Sequence, residues 1–455
     1  MKSSLVPRIT NPSREQLDAT ESSEIKMRSV RVGIVGFGTV GRATADIIEK
    51  HASLIEGRSG VRLEVASVCR RSAVNPDHVP SGARSVSNWR ELVQDPSLDV
   101  LVETMGGTNE SRQLVRAALE IGKPVVTANK NLLAEYGDEL FALACRHNLP
   151  IGFEASVAGG IPILRVIHES TAGDRVRAIR GILNGTANYI LTQMENCGIE
   201  FDQALSEAQA AGYAEADPSF DIDGLDARDK LCILARMAFG GRLQVSRIST
   251  DGIRHIRAID IHSASRLEST IRLVGSAEQT DTGLEISVRP WLVPRRSMLA
   301  KVEDVNNAVF LVGDRLGTQM FYGRGAGGDA TGAAVVSDLI EIARDLAAGQ
   351  LSAKKVSGFL DSHEVEICTT PRPASWYLRL TVKDQRGIVA RVAEVIAQHN
   401  INIESLEQEP HMPKDRLSFV ITVQPVSEPV VRRAIEEING FDFMVEPVLL
   451  LRIEP

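Results

Sequence analysis

The stretch that most constrains this chain runs from Val30 to about Lys50. A short β-branched run, Val30–Val35, passes without a break into Gly36-Phe37-Gly38-Thr39-Val40-Gly41 and then into a helical stretch. Each glycine has its own task in such a turn. Gly36 permits the tight reversal, Gly38 lets backbone approach a pyrophosphate, and Gly41 lets helix and strand pack closely. The helix start beyond them offers unpaired N–H groups and a partial positive charge to phosphate. Without the strand before it and the helix after it, the same pattern would be an ordinary turn. Further strand candidates, Val61–Val68, Val100–Glu103 and Val125–Thr127, are each followed by a helical segment. That alternation predicts a doubly wound parallel sheet closing near Glu154.

The remaining organisation follows from pattern changes. Residues 1–28 are polar and aperiodic and read as a disordered extension without the apolar core of a secretory signal. Residues 155–365 mix long helices with alternating strands such as Leu284–Val288, an α+β region. The TTPRPAS break predicts a linker at 366–375, and 376–455 reads strand, helix, strand, strand, helix, strand: a separate ferredoxin-like βαββαβ domain. Composition narrows the partners. A formal net charge of −8, from 51 basic and 59 acidic residues, argues against nucleic acid. The absence of a run of about 18 apolar residues argues against a membrane span. Five scattered cysteines without a C-x-x-C fit neither a disulfide framework nor a zinc site, and suit a reducing cytoplasm.

Three further constellations carry chemistry. The second strand ends in Cys69-Arg70-Arg71, where an NAD site would place an acid for the ribose 2′-hydroxyl. Guanidinium groups suit a 2′-phosphate, so Arg70 and Arg71 favour NADP over NAD; the alternative is two solvated loop arginines. Next come Glu207, Glu215, Asp217, Asp221, Asp226 and Lys230. Asp226 and Lys230 stand four apart on one helix face. They are either an exposed surface ion pair or an acid–lysine pair that holds a small cationic, polar substrate and supplies a proton. Finally, Gly323-Arg324-Gly325-Ala326-Gly327-Gly328-Asp329 precedes a helix, Ala330–Ala348, and is either a flexible loop or a second phosphate-facing helix start. Gly159-Gly160, after Glu154, is a turn or a set of carbonyls for a hard cation.

Taken in order, GFGTVG, ETMGG (Glu103–Gly107), TANK (Thr127–Lys130), EASVAGGIP (Glu154–Pro162), NGTANYIL (Asn184–Leu191), GYAEADP with DIDGLDARDK (Gly212–Lys230) and FYGRGAGGDATG (Phe321–Gly332) make the chain resemble the monofunctional homoserine dehydrogenases that carry a C-terminal ACT domain. The resemblance runs from about Val30 to the end. It implies a Rossmann-type domain completed by about 321–350, a substrate-binding and dimerisation domain, and an ACT regulatory domain. It also implies reversible NAD(P)-dependent interconversion of L-homoserine and L-aspartate 4-semialdehyde in threonine and methionine biosynthesis, in a homodimer or homotetramer.

By the same resemblance Lys230 is the proton donor, and Glu215 and Asp226 bind substrate, with Asn184, Gly185, Thr186 and Asp221 nearby. Thr104, Lys130 and Gly327 meet the nicotinamide cofactor. Glu154 with the backbone of Val157, Gly159 and Ile161 forms a monovalent-cation loop for Na+ or K+. In the C-terminal domain Asp384, Gly387, Ile388 and Asn400 match an effector site, which predicts inhibition by L-threonine. The sequence departs from the family pattern at Thr104-Met105, where Leu-Ile is usual, and at Arg324, Ala330 and Gly332, which loosen the late loop. Two rivals fail on residues. A thioester-forming semialdehyde dehydrogenase needs an activated cysteine in a nucleophile setting, which no cysteine here has. A catalytically dead sensor would not keep Glu215, Asp226 and Lys230.

Overall fold

The computed structural model describes residues 29–71, 78–353, 359–360, 363–369, 371–408 and 413–454. The expected N-terminal extension, 1–28, lies outside the described residues. The first sheet contains β1 (Ser29–Val35), β2 (Arg62–Cys69), β3 (Arg84–Val86), β4 (Val100–Glu103), β5 (Val125–Thr127) and β6 (Ile151–Gly152). They pair in parallel in the order β3-β2-β1-β4-β5-β6. A parallel sheet is covered on both faces, so its central strands are largely apolar. Val30, Val32, Ile34 and Val35 are accordingly all buried. The order reverses at β1, with β2 on one side and β4 on the other. This opens a crevice at the carboxyl ends of those strands. The helix Gly328–Ala348 returns from far along the chain to pack on the helix Thr39–Lys50, placing Val335, Leu339 and Ile342 in the same core.

The second sheet begins as an antiparallel layer of β7 (Val176–Ile182), β9 (Ser269–Thr280), β10 (Gly283–Pro294), β11 (Asn306–Gly313) and β12 (Gly317–Arg324), with the short β8 (Ser249–Thr250) paired in parallel to β10. The helices Gly185–Cys197 and Leu225–Phe239 bury apolar faces in its core. β10 outruns the expected strand Leu284–Val288, and its buried end, Trp291-Leu292, leaves an edge that must be covered. The last strand of the chain, β16 (Met444–Ile453), covers it, pairing in parallel at Trp291↔Arg452 and Leu292↔Ile453. Beyond β16 the sheet continues through β13 (Ala374–Val382), β15 (Leu417–Val426) and β14 (Ile403–Gln408).

The βαββαβ order of the C-terminal domain is therefore present, and its sheet is hydrogen-bonded to that of the middle region. One sheet spans both regions, and the linker is stitched to its edge. Leu284 N donates to Glu366 O at 2.7 Å and Cys368 N donates to Leu284 O at 3.0 Å. Arg372 is paired with Glu278, and its N–H donates to Glu285 at 3.2 Å.

Charge locks the same junction. Asp260, on the helix Ala258–Arg266, is 0% exposed. It accepts from Arg257 N at 2.8 Å, from the Tyr377 hydroxyl at 2.8 Å and from the Arg379 guanidinium. Burial pushes the Asp260 carboxyl upward, and Arg379 opposes that without cancelling it. Removing one partner of such a pair leaves an uncompensated buried charge, at a cost of about 3–5 kcal/mol. Arg379→Ala is thus expected to lower unfolding free energy by about that much, measured by urea denaturation. The double change Asp260→Leu with Arg379→Met should cost less than the single one. Equal stability of Arg379→Ala and the parent would refute the claim that this pair holds the junction.

Candidate active site

At the end of β1 the three glycines have three different surroundings. A Cβ at Gly36, whose φ is +99°, would collide with the Thr104 carbonyl, and one at Gly41 would collide with the Gly36 carbonyl. At Gly38 nothing lies within 4 Å, so the space above it is open. The helix Thr39–Lys50 starts there without a side-chain cap. The helix Gly328–Ala348 starts equally uncapped at Gly327, φ +109°. A Cβ on Gly328 would sit 3.1 Å from the Thr39 side chain, so the two helix starts lie side by side. Paired, uncapped helix N-termini present unsatisfied N–H groups to an anion. A cleft of about 1100 Å³ adjoins them, lined by Thr39, Arg42, His78 and Gly328. Arg42 and His78, 3.5 Å apart, were not anticipated from the sequence.

Other cofactor expectations are refined. Arg70 and Arg71 are exposed at the end of β2, with Arg71 3.9 Å from Glu110. The Phe37 ring is 1% exposed in the core and its N–H donates to Cys69 O at 3.3 Å, so its side chain has no place in the cleft. The Thr104 hydroxyl donates to Gly36 O at 2.7 Å, which gives this unusual residue the task of bracing the glycine turn.

Beneath the crevice lies Glu103, fully buried at the end of β4. It accepts from Met105 N at 2.9 Å, the Ser111 hydroxyl at 3.0 Å and the Thr127 hydroxyl at 2.6 Å. Burial pushes its carboxyl up, and these neutral donors only partly offset that. One carboxylate thereby fixes both loops that border the crevice, Thr104–Gly107 and Thr127–Lys130. Asn129 then caps the helix Lys130–His147 through Leu132 N at 3.1 Å and reaches back to Gly107 O at 2.7 Å.

Lys130, first residue of that helix, is placed against the helix dipole. Its partner is Asp226, 3.2 Å away. Asp226 is 4% exposed and Lys230 7% exposed, so the reading of an exposed surface pair is overturned. Lys230 Nζ donates to Asp226 at 2.7 Å and to Leu183 O at 2.8 Å. Asn184 Nδ2 donates to Asp226 at 2.8 Å and to Asp221 at 2.7 Å, while its carbonyl caps the helix Gly185–Cys197 at Ala187 N, 2.7 Å. Burial alone would raise the Asp226 carboxyl. The charges of Lys230 and Lys130, with the hydrogen bonds, win and hold it at about 2. Lys130 is pulled down by desolvation, but Asp226 more than compensates and its ammonium is favoured. Asp221 goes the other way, raised by burial and by Asp226. A pocket of about 630 Å³, lined by Val40, Thr104, Gly107, Lys130 and Phe220, joins this cluster to the glycine turn.

Not every expected residue joins the cluster. Glu215 is exposed, and its backbone carbonyl accepts from Gln209 at 3.0 Å. The Thr186 hydroxyl donates to Tyr213 O at 2.7 Å but also lies against the cluster at the Asp221 carboxyl, and Gly185 packs under Val305 O. Glu154 is buried, and its carboxylate accepts from Leu164 N and Arg165 N, both at 2.9 Å. Among Val157, Gly159 and Ile161, the Ile161 carbonyl accepts from Ile163 N at 2.8 Å. That carboxylate organises the loop, so a cation here would rest on main-chain carbonyls. In the C-terminal region Gly387, φ +85°, opens the helix Ile388–Gln398 without a side-chain cap, and Asp384 and Asn400 are exposed near its two ends. The Ile388 side chain is core rather than site.

Comparison with known proteins gives a consistent picture. The chain matches the family models Homoserine dehydrogenase, NAD binding domain, over residues 36–154, Homoserine dehydrogenase over 162–340 and ACT domain over 376–442. It is 38% identical over 431 residues to a homoserine dehydrogenase of Neisseria gonorrhoeae, covering 94% of this chain and 99% of that protein. One from Pseudomonas aeruginosa is also 38% identical, over 436 residues, with the same coverage. Among solved structures, a homoserine dehydrogenase from Thiobacillus denitrificans superposes with a TM-score of 0.86 at 36% identity, over 94% of this chain and 99% of that one. A hyperthermophilic archaeal homoserine dehydrogenase in complex with NADPH gives 0.59 at 32% identity, over 69% and 98%.

The charge state of the cluster sets a pH test. A folded pKa of about 2 for Asp226 lies below the ordinary carboxylate value of about 3.9. Its ionised form therefore contributes stability above about pH 4 that is lost as pH falls toward 2, on the order of 2 kcal/mol. In urea unfolding between about pH 4.5 and 2.5, Asp226→Asn should lose less stability than the parent, although it starts lower because Lys130 and Lys230 lose their counter-charge. Parallel losses in the two proteins would contradict the assignment.

Proposed function

The chain belongs to the homoserine dehydrogenase family, and from that premise we propose that it interconverts L-homoserine and L-aspartate 4-semialdehyde in threonine and methionine biosynthesis. The observation that carries this reading is the Lys130–Asp226–Lys230 cluster, with Asp226 and Lys230 buried and Lys130 partly exposed, at the mouth of a nucleotide crevice. The residues of the glycine turn, with Thr104, Lys130 and Gly327, would hold a nicotinamide cofactor, which would supply or accept the hydride at C4 of the substrate. Lys230 does the complementary proton work. Two of its three ammonium donors are fixed by Asp226 and Leu183 O, which leaves one for the substrate oxygen at C4. In reduction that N–H gives its proton to the carbonyl oxygen; in oxidation the amine takes the hydroxyl proton back. The Lys130 ammonium steadies the oxygen's charge from the cofactor side. Asp221 and Glu215 are assigned to the substrate ammonium, and the helix start at Gly185-Thr186, below Asn184, to its carboxylate.

The division of labour follows the sheets. Residues 29–154, completed by about 321–350, hold the cofactor, with Gly36–Gly41, Thr104, Lys130 and Gly327 around it. Residues 155–365 hold substrate and dimerise, a role that suits the exposed Met298, Leu316 and Tyr322. Residues 376–455 regulate. NADP is preferred over NAD, on the strength of Arg70 and Arg71, and the NADPH held by the archaeal relative supports it. A Na+ or K+ ion in the Glu154–Ile161 loop is assigned to main-chain carbonyls and given no step in the reaction. Among the described residues no helix is long and apolar enough to cross a membrane.

L-threonine is proposed as the effector, at Asp384, Gly387 and Asn400. The structure offers its signal a route. The helix Glu428–Asn439 pairs Glu428 with Arg289 at 2.6 Å and Arg432 with Asp251 at 3.1 Å. Ile253 N then donates to Ile222 O at 2.8 Å and Arg254 grips Asp223 at 2.9 Å, below Phe220 and Asp221.

Three outcomes are expected. Lys230→Ala should lose about 10²–10⁴-fold in kcat, read by steady-state turnover of homoserine; an unchanged kcat would assign the proton elsewhere. The Arg70→Ala, Arg71→Ala double variant should erode an NADP preference of roughly 10- to 100-fold in kcat/KM, from charged hydrogen bonds of about 1.5–3 kcal/mol each. An unaltered ratio would dismiss both arginines. Glu428→Gln should raise the threonine concentration for half-inhibition about 5-fold or more, within the usual range of effector coupling. Absence of any threonine effect on the full-length protein would leave the ACT region a structural part.

A further inference from the structure

Asn307 is 1% exposed on β11, opposite Gly323 of β12. Its side chain touches two otherwise separate parts of the site. Nδ2 donates at 2.9 Å to Leu183 O, the same carbonyl that receives Lys230 Nζ at 2.8 Å. Its carboxamide also fills the space above Gly325, where any Cβ would overlap it. Oδ1 is buried without a hydrogen-bond partner. The position therefore keeps an amide at the expense of an orphan acceptor, which a residue chosen for packing alone would avoid. A donor and a flat shape are what the amide supplies here.

We propose that Asn307 is a positioning residue that holds the proton-donating end of Lys230 in register with the Gly325–Gly328 turn on the cofactor side. The inference rests on the dehydrogenase reading given above. A lysine ammonium on a flexible stem points where its acceptors are. One acceptor, Asp226, is fixed by Lys130 and Asn184. The other, Leu183 O, is fixed by Asn307, since a carbonyl has room for both donors. On the opposite side the carboxamide blocks the Gly325 turn from moving toward β11. That turn is in contact from the far side as well, because Gly160 N donates to Arg324 O at 3.0 Å and a Cβ at Gly159 would lie 2.8 Å from Gly325 O. Gly325 is a glycine because Asn307 occupies its side-chain space, and Gly327, two residues on, starts the uncapped helix.

The test separates the two contacts. Asn307→Leu keeps bulk over Gly325 and deletes the donor. It should lower kcat about 10- to 100-fold, as for a misaligned catalytic group, with the NADPH dissociation constant within about threefold of the parent. NADPH binding is read by fluorescence in the absence of substrate. Gly325→Ala should weaken NADPH about tenfold or more because its methyl collides with the carboxamide. Asn307→Ala combined with Gly325→Ala should recover most of that loss, a non-additive coupling that independent sites do not give. Thermal unfolding of each variant accompanies the measurements, and Asn307→Ala gives the kcat reading if the leucine variant fails to fold. Parental kcat in both Asn307 variants, or simple additivity in the cofactor cycle, would overturn the proposal. A parent that binds NADPH but leaves homoserine untouched would instead overturn the proposed reaction while the cofactor cycle still stands.

Discussion

Asp226 ties together parts of the molecule that no sheet joins. Its two oxygens receive Lys130 from the start of a helix in the first domain, Lys230 from its own helix, and Asn184 from the turn that opens another helix of the second domain. Two ammonium groups brought this close would repel each other in a low-dielectric setting. The carboxylate between them turns that repulsion into a three-body attraction, and it does so only while ionised. Burial opposes ionisation, and the two cations outweigh burial, so the group stays charged far below neutrality. Geometry and protonation state are thus one fact: the crevice of the parallel sheet and the floor of the mixed sheet meet at an ionised carboxylate.

Glu103 gives the contrast that proves the magnitudes matter. It is as deeply buried and as richly hydrogen-bonded, but its donors, two hydroxyls and an amide, are neutral. Desolvation therefore prevails and its carboxyl is pushed up, whereas cations push Asp226 down. The first acid frames two loops and the second organises charge for chemistry. The same desolvation acts on buried thiols: it raises Cys69 to about 11 and Cys232 to about 12, which disfavours a thiolate at those two positions.

Local pattern made the glycine turn, the parallel strands and the Asp226/Lys230 spacing legible, because each is written within a few consecutive residues. Burial was not legible. An i,i+4 acid–lysine pair reads alike on a wet surface and in a closed pocket, and only the packing of Leu183, Asn184 and Lys130 around it decides. Asn307 and Arg42 carry no local signal, since their partners are 124 and 36 residues away. Glu103 stood in a recognised motif, yet its task depends on Ser111 and Thr127, which the topology brings to it. Glu215 was assigned by resemblance and lies exposed on its loop, outside the hydrogen bonds that close the cluster. How the C-terminal domain joins the middle sheet was not legible for a similar reason. A βαββαβ order says how six elements pair among themselves, and nothing about an unfilled edge on β10.

That shared edge governs how the C-terminal region can influence the site. A domain on a loose tether could regulate by moving away, whereas the proposed regulation by one whose β16 is hydrogen-bonded to β10 and whose Arg379 is buried on Asp260 would have to act through small shifts at packed contacts. The contacts are unequal. Arg432 and Asp251 are each more than 40% exposed, so water and salt screen their attraction to a small value. Arg289 and Glu428 are 5% and 15% exposed, and burial holds their mutual dependence high. A displacement of the helix Glu428–Asn439 would thus be felt mainly by Arg289. Arg289 also donates to the Ser249 hydroxyl at 3.0 Å, in the strand paired with β10. Three residues on, Gly252 presses so closely on Ile222 and Asp223 that a methyl group would not fit, so the two segments cannot move independently. A continuous set of contacts from the C-terminal helix toward Asp221 and Phe220 therefore runs through one buried ion pair and one glycine contact.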